Sequence, residues 1–161
     1  MPPLDQDLPS LGGGTLSAAD FDGQAVLVVN VASQCGLTPQ YEGLERLQRR
    51  FGDRGFTVLG VPTGQFAGQE FDSDGEIQTF CSTTYGTTFP MTTKLEVNGS
   101  GRHPLYERLT QTPDGEGVAG EVQWNFEKFL LAPDGNVVAR FRPPVDPESD
   151  ELVAAIEDVL P

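Results

Sequence analysis

The residue with the clearest chemical potential is Cys35, which follows an uncharged and largely aliphatic run over residues 25–32. Such a run predicts a strand that is buried on both faces. Thr38 and Pro39 come next and predict a helix N-cap with proline at the first helical position. Cys35 is therefore expected in a strand-to-helix turn, where free N–H groups and the positive helix end favour a thiolate. The same pattern leaves open a buried cysteine that only packs.

A second loop is predicted beside Cys35. Apolar residues at helical spacing predict a helix over residues 39–54, and residues 56–62 form a second buried strand of a right-handed βαβ unit. Residues 63–71 follow that strand directly. Because the carboxyl ends of parallel strands meet at one edge of a sheet, we expect residues 63–71 to lie near Cys35.

The other cysteine, Cys81, falls on a short predicted helix. Ser73 and Glu76 have the spacing of a capping box and open a helix that continues to about Thr83. Ile77 and Cys81 are four residues apart and share a face of this helix. From periodicity alone, Cys81 is a core cysteine.

The remaining segments predict an α/β fold with a thioredoxin-like order of elements, in which helices cover both faces of a central mixed β-sheet. The expected parts are a hairpin tip at residues 12–14, a strand at 91–97, a helix from the capping residue His103 to Leu109, a strand at 122–131, a turn at 133–136 leading into a strand at 137–141, and a last helix capped by Asp146 and Pro147.

Composition excludes several classes of function. The 161 residues, expected to form one domain over 1–161, carry a net charge of −14 and include only two lysines, which argues against binding to nucleic acid or to an anionic membrane. Two cysteines and one histidine cannot by themselves form an ordinary zinc site, so we expect no metal and no cofactor. Residues 1–10 lack the features of a secretory signal, and no run has the length of a membrane span, so the expected location is the cytoplasm, without a membrane anchor.

Three segments together resemble the glutathione peroxidase family in order and separation, and the similarity runs over nearly the whole chain. They are NVASQCGLT at residues 30–38, GQFAGQE at 64–70 and WNFEKFL at 124–130. The resemblance implies a thioredoxin fold and peroxide reduction at Cys35, with Gln69, Trp124 and Asn125 as catalytic companions. It also implies that Cys81 is the resolving cysteine of the thioredoxin-reduced branch, which reverses the preference for a packing role.

This chain departs from the family pattern within the second segment. The family's usual Pro-Cys-Asn-Gln-Phe is Pro-Thr-Gly-Gln-Phe here, so that Thr63 and Gly64 replace cysteine and asparagine. Phe71 stands where the family usually has proline. We expect these changes to loosen the loop without removing Gln69.

The reaction implied by the resemblance is attack of the Cys35 thiolate on hydrogen peroxide or an organic hydroperoxide, followed by a Cys35–Cys81 disulfide. Thioredoxin is the expected reductant, with glutathione less favoured because it is anionic. A bridge requires Cα atoms within about 7 Å, so residues 72–86 are expected to unwind partly on oxidation. The chain lacks the insertion that family tetramers use, which favours a monomer. The alternatives are a non-catalytic redox sensor or relay and a scaffold with inert cysteines.

Overall fold

The long aliphatic run becomes the central strand of a mixed sheet in the computed structural model, which describes residues 2–161. None of the helices in this range combines the length and apolar composition needed to cross a membrane. In chain order the elements are β1 (Leu8–Pro9), β2 (Thr15–Leu16), β3 (Ala25–Val31), α1 (Gln40–Phe51), β4 (Phe56–Pro62), α2 (Asp74–Phe80), α3 (Pro104–Leu109), β5 (Lys128–Leu131), β6 (Val137–Phe141) and α4 (Asp150–Val159).

The main sheet has the strand order β4-β3-β5-β6, and β1 pairs with β2 in a separate hairpin. Strand β3 runs parallel to β4 and antiparallel to β5. The pairing with β4 extends from Ala25 opposite Phe56 to Val31 opposite Pro62. Both strands therefore end at the same edge of the sheet, and the loops that follow them leave it side by side.

Helices cover both faces of the sheet, as predicted. Leu27 and Val29 of β3 belong to the same buried cluster as the apolar residues of α1 and α4. Val26 and Val28 point to the opposite face and belong to the cluster that contains the apolar residues of α3. This alternation is the two-residue period of a strand, and burial on both faces explains why β3 carries no charge.

The structure corrects three of the predicted elements. Residues 91–97 form only isolated bridges, because Met91 pairs with Gly60 of β4 whereas the next residue, Thr92, pairs with Ser10. The strand predicted over 122–131 begins only at Lys128. Helix α4 is capped by Ser149, whose hydroxyl accepts the N–H of Leu152, whereas the predicted cap Asp146 belongs to the preceding turn.

A buried ion pair fixes the chain just before β5. Arg140 and Glu127 are fully buried, and Arg140 Nε donates to Glu127 Oε2 at 2.8 Å. The guanidinium also donates to the carbonyls of Thr112 and Gly120, while Glu127 Oε1 accepts the N–H of Gln123 at 3.0 Å. Residues 110–123 are thereby held against β6, and the chain enters residues 124–126 from a fixed direction.

Candidate active site

Cys35 lies in the turn between β3 and α1, as predicted. It is 8% exposed, and its sulfur accepts a hydrogen bond from the backbone N–H of Leu37 at 3.3 Å. A backbone N–H that points at a sulfur stabilises negative charge there. The turn therefore provides a local donor for a thiolate at this position.

Thr38 shapes this turn but does not cap α1, which corrects the prediction. Its Oγ1 accepts the N–H of Cys35 at 2.9 Å and donates to the carbonyl of Ala32 at 2.8 Å. Helix α1 begins at Gln40, and Pro39 occupies the cap position without a side-chain hydrogen bond. Buried backbone groups need hydrogen-bond partners within the protein. The Thr38 hydroxyl supplies the partner for two such groups of the turn.

Residues 63–71 lie beside the Cys35 turn, which confirms the prediction from parallel strands. The N–H of Gln34 donates to the carbonyl of Gln69 at 2.9 Å. Ala67 and Gly68 both have positive φ, at 58° and 62°, and this left-handed pair turns the chain back toward Cys35. The turn is what brings Gln69 to the neighbouring loop.

The replacement of two family side chains by Thr63 and Gly64 leaves this loop anchored. Gln65 Oε1 accepts the N–H of Val97 at 2.6 Å, and its Nε2 donates to the carbonyl of Asn98 at 2.8 Å. A Cβ on Gly64 would lie 3.2 Å from Lys94 Nζ, so the glycine makes room for that ammonium. The loop is therefore held by Gln65 and retains Gln69.

The third segment reaches the same edge through a turn rather than a strand. The Asn30 side chain donates to the carbonyl of Trp124 at 3.0 Å, and the N–H of Phe126 donates to the carbonyl of Asn30 at 2.6 Å. Phe126 has a φ of +67° although it is not glycine, which is costly and requires support from its surroundings. Asn125 is fully buried, and its Nδ2 donates to Gln69 Oε1 at 3.1 Å.

Trp124 is the accessible member of the predicted set. It is 36% exposed, and its ring lies 5.5 Å from the ring of Phe66, measured between centroids. The structure thus joins Gln34, Gln69 and Asn125 by hydrogen bonds. Within residues 2–161, no hydrogen bond runs from the Cys35 sulfur to the side chains of Gln69, Trp124 or Asn125.

Sequence reasoning gave no role to Asn30, although it organises the third segment. Asn30 is fully buried. Its side-chain amide N–H donates to the carbonyl of Trp124, and its backbone carbonyl accepts the N–H of Phe126. The signal was present in the sequence as one amide within an otherwise aliphatic strand. A buried amide needs partners, and a strand that lacks other polar side chains must find them elsewhere in the chain.

Cys81 lies at the junction between α2 and a π-helical turn over Cys81–Tyr85. It is 2% exposed, it is an unpaired thiol like Cys35, and it belongs to the same buried cluster. Burial raises the pKa of the Cys81 thiol to about 11, although the neighbouring Tyr41 hydroxyl acts in the opposite direction. Ser73 caps α2 as predicted, by accepting the N–H of Glu76.

The surroundings of Cys81 leave space for movement. A cavity of about 290 Å³ separates this segment from the β1–β2 hairpin and is lined by Leu11, Cys81, Ser82 and Phe89. Single π-turns are rare and are frequently found at functional sites. Cys81 is therefore held in a segment whose helical hydrogen bonding is already irregular.

Comparison with known proteins finds similar sequences over most of the chain. The family model for glutathione peroxidase matches residues 6–110. The "Hydroperoxy fatty acid reductase gpx1" of Synechocystis is 49% identical over 156 residues, which cover 94% of this chain and 91% of that protein. The "Thioredoxin/glutathione peroxidase BtuE" of Escherichia coli is 45% identical over 169 residues, covering 93% of this chain and 92% of the relative.

Solved structures confirm the predicted thioredoxin-like fold. The crystal structure of Trgpx in apo form matches with a TM-score of 0.75 and 34% identity, covering 100% of this chain and 99% of the other. A thioredoxin family protein from Chlorobium tepidum, a thiol:disulfide interchange protein, matches with a TM-score of 0.69 at 17% identity and covers 96% of this chain and 92% of its own. The second likeness concerns the fold alone.

The role of Thr38 in the turn is testable by isosteric substitution. Thr38→Val removes the hydroxyl that bonds Cys35 N–H and the Ala32 carbonyl, and it leaves two buried groups without partners. We expect the free energy of unfolding to fall by about 1–3 kcal/mol, measured by urea denaturation. Thr38→Ser keeps the hydroxyl and is the matched control. Equal stability of the two variants would show that the hydroxyl is not what holds the turn.

Proposed function

The chain belongs to the glutathione peroxidase family, and from this premise we propose that Cys35 is its peroxidatic residue. The observation that carries the proposal is the hydrogen-bonded set at the Cys35 turn, in which Gln34 binds Gln69 and Gln69 binds Asn125. These contacts bring neutral amide donors from two distant loops to one sheet edge. Peroxide cleavage needs such donors, because charge moves from sulfur to a departing oxygen.

The first half-reaction is a two-electron displacement at Cys35. The thiolate attacks one peroxide oxygen, the S–O bond forms, the O–O bond breaks, and the departing oxygen takes up a proton. Gln69 accepts a hydrogen bond through Oε1 and keeps both of its N–H donors, while Asn125 keeps one. With the exposed indole of Trp124, these donors are proposed to stabilise the thiolate and the departing oxygen. All of them stay uncharged at any working pH.

The second half-reaction joins the two cysteines. The Cys81 thiol condenses with the sulfenic acid on Cys35, so that an S–S bond forms and water leaves. Cys81 begins buried at the π-turn, and we propose that residues 72–86 partly unwind to bring its sulfur to Cys35. The cavity beside Cys81 supports this proposal, because it offers the unwinding segment space.

Thioredoxin is the proposed reductant. The resulting disulfide lies within one chain, and an external dithiol is suited to opening it by exchange. The name of the Escherichia coli relative includes both thioredoxin and glutathione. A net charge of −14 disfavours the approach of anionic glutathione. We propose that hydrogen peroxide and organic hydroperoxides are the substrates, and that the protein works as a cytoplasmic monomer.

A coupled assay tests the whole proposal. With hydrogen peroxide, thioredoxin, thioredoxin reductase and NADPH, the wild-type protein is expected to consume NADPH continuously, because the disulfide is recycled. Cys35→Ser abolishes this consumption, and Cys81→Ser, the matched control, retains peroxide-dependent oxidation of Cys35 but loses thioredoxin-dependent turnover. Consumption that stops after one equivalent per chain would instead indicate a redox relay.

The donor role of Asn125 has a separate test. Asn125→Ala is expected to slow Cys35 oxidation by about 100-fold, because a preorganised donor is lost where charge develops. The rate is followed by stopped-flow fluorescence of the single tryptophan. Asn136→Ala alters an exposed asparagine in the β5–β6 turn and should leave the rate unchanged. Equal rates for both variants would remove Asn125 from the mechanism.

Unwinding of residues 72–86 can be measured by hydrogen exchange. Protein carrying the Cys35–Cys81 disulfide is expected to exchange the amides of this segment faster than reduced protein, because α2 and the π-turn lose hydrogen bonds. Peroxide-treated Cys81→Ser protein cannot form the bridge and should keep the protection of the reduced form. Equal protection in the reduced and disulfide forms would contradict the proposed movement.

A further inference from the structure

The carboxylate of Glu70 is buried beside the turn that carries Cys35. Glu70 is 4% exposed, and its Oε1 accepts the backbone N–H groups of Ser33 at 3.2 Å and of Phe71 at 2.9 Å. Within residues 2–161, Oε2 has no hydrogen-bond partner in this structure. A buried carboxylate oxygen without a partner is costly, so its retention calls for a functional explanation.

Glu70 and Gln69 are neighbours in the loop but have different hydrogen-bond partners. Gln69 Oε1 meets Asn125, on the side where the peroxide donors collect. Glu70 instead accepts the backbone N–H groups of Ser33 and Phe71. Its negative charge adds to burial in raising the pKa of the Cys81 thiol and of the Tyr41 hydroxyl. The adjacent residues Gln69 and Glu70 therefore contact different groups beside the same turn.

Aromatic packing places the Glu70 loop against the Cys81 segment. The ring of Phe71, next to Glu70, lies 5.8 Å from the ring of Phe80, next to Cys81, in an edge-on arrangement. Glu70 is also tied to the Cys35 turn through Ser33. The carboxylate is thus tied to the turn that the Cys81 sulfur must reach to form the proposed disulfide.

We propose that Glu70 is the acid–base group of disulfide formation, an inference that rests on the proposed function. Glu70 Oε2 takes the proton of the Cys81 thiol as that sulfur attacks the sulfenic sulfur of Cys35. The S–S bond forms, the S–O bond breaks, and the departing hydroxide receives the proton from Glu70. One water is released, the carboxylate is regenerated, and no external acid, base or oxidant is consumed.

The surroundings of Glu70 suit both steps. A buried thiol whose pKa is about 11 needs a base to lose its proton near neutral pH. Burial raises the pKa of the Glu70 carboxyl above its usual value, which makes it a better proton acceptor. The neighbouring Ser33 hydroxyl, the backbone N–H groups of Phe71 and Ser33 and, last, the positive charge of Lys94 act in the opposite direction. The hydrogen bonds from Ser33 and Phe71 occupy Oε1 and favour the carboxylate, leaving Oε2 free to accept the proton.

The test separates the two half-reactions in time. Reduced protein is mixed with one equivalent of hydrogen peroxide, quenched at intervals by acid, and analysed by mass spectrometry for thiol, sulfenic acid and disulfide. In Glu70→Gln, sulfenic acid should appear at the wild-type rate, whereas the disulfide should form about 100-fold more slowly. Glutamine keeps an Oε1 that can accept from Ser33 and Phe71, so the loop contact is retained.

The pH dependence identifies the group. The wild-type rate of disulfide formation should fall as the pH drops through the pKa of Glu70, because a protonated carboxyl cannot accept the Cys81 proton. Glu70→Gln should lack this fall in rate at low pH, which is called the acidic limb of the pH profile. Lys94→Met leaves Glu70 in place but removes a charge that lowers its pKa, so it should move the limb to higher pH. This second variant keeps the test available if Glu70→Gln fails to fold.

The inference is overturned if Glu70→Gln forms the disulfide at the wild-type rate, or if it slows both steps equally, which is the behaviour of a purely structural anchor. An acidic limb that Lys94→Met leaves unmoved would also overturn it. Failure of the proposed function looks different, because the wild-type protein would then form no sulfenic acid on Cys35 or no disulfide at all.

Discussion

The hydrogen bond from the Gln34 N–H to the Gln69 carbonyl joins the two loops on which the site depends. It exists because β3 and β4 are parallel and end in register, so their following loops leave the sheet as neighbours. A backbone contact of this kind is insensitive to most side-chain changes. That explains why the replacement of two polar residues by Thr63 and Gly64 does not displace Gln69 from the Cys35 turn.

The same backbone contact divides the turn into two chemical surroundings. Gln69 bonds an amide of the third segment, whereas the buried carboxylate of Glu70 accepts the backbone N–H groups of Ser33 and Phe71. Neutral donors on one side suit a step in which charge moves from sulfur to oxygen. A carboxylate on the other side suits a step in which a thiol must lose a proton. Two adjacent residues of a loop can serve the two proposed steps because their side chains have different partners.

The third segment depends on buried polar contacts rather than on strand pairing. Asn30 holds the backbone on either side of Asn125, and the buried pair of Glu127 and Arg140 fixes the chain that leads into it. Breaking a buried ion pair by removing one partner typically costs about 3–5 kcal/mol. The pair also directs the guanidinium to carbonyls of the preceding loop. These additional hydrogen bonds help to offset the cost of burying the two charges, and they fix the chain that leads to Trp124 and Asn125.

The sequence alone determined the central elements and the proximity of the first two loops. A strand buried on both faces needs an uninterrupted aliphatic run, and parallel pairing then forces its following loop to meet that of its neighbour, so Cys35 and residues 63–71 were predictable together. The position of Trp124 and Asn125 was predictable only through the family resemblance, because the aromatic-rich run over 122–131 has the local pattern of a strand.

Only the tertiary structure decided that residues 122–127 form no strand, since Asn30 bonds Trp124 and Glu127 bonds Arg140 through contacts between separate parts of the chain. It likewise decided that Thr38 bonds the Cys35 turn instead of capping α1, and that Glu70 is buried with a free oxygen. Local patterns specify which backbone conformations are favourable. Where a polar group finds its partner once water is excluded depends on contacts between residues far apart in the chain.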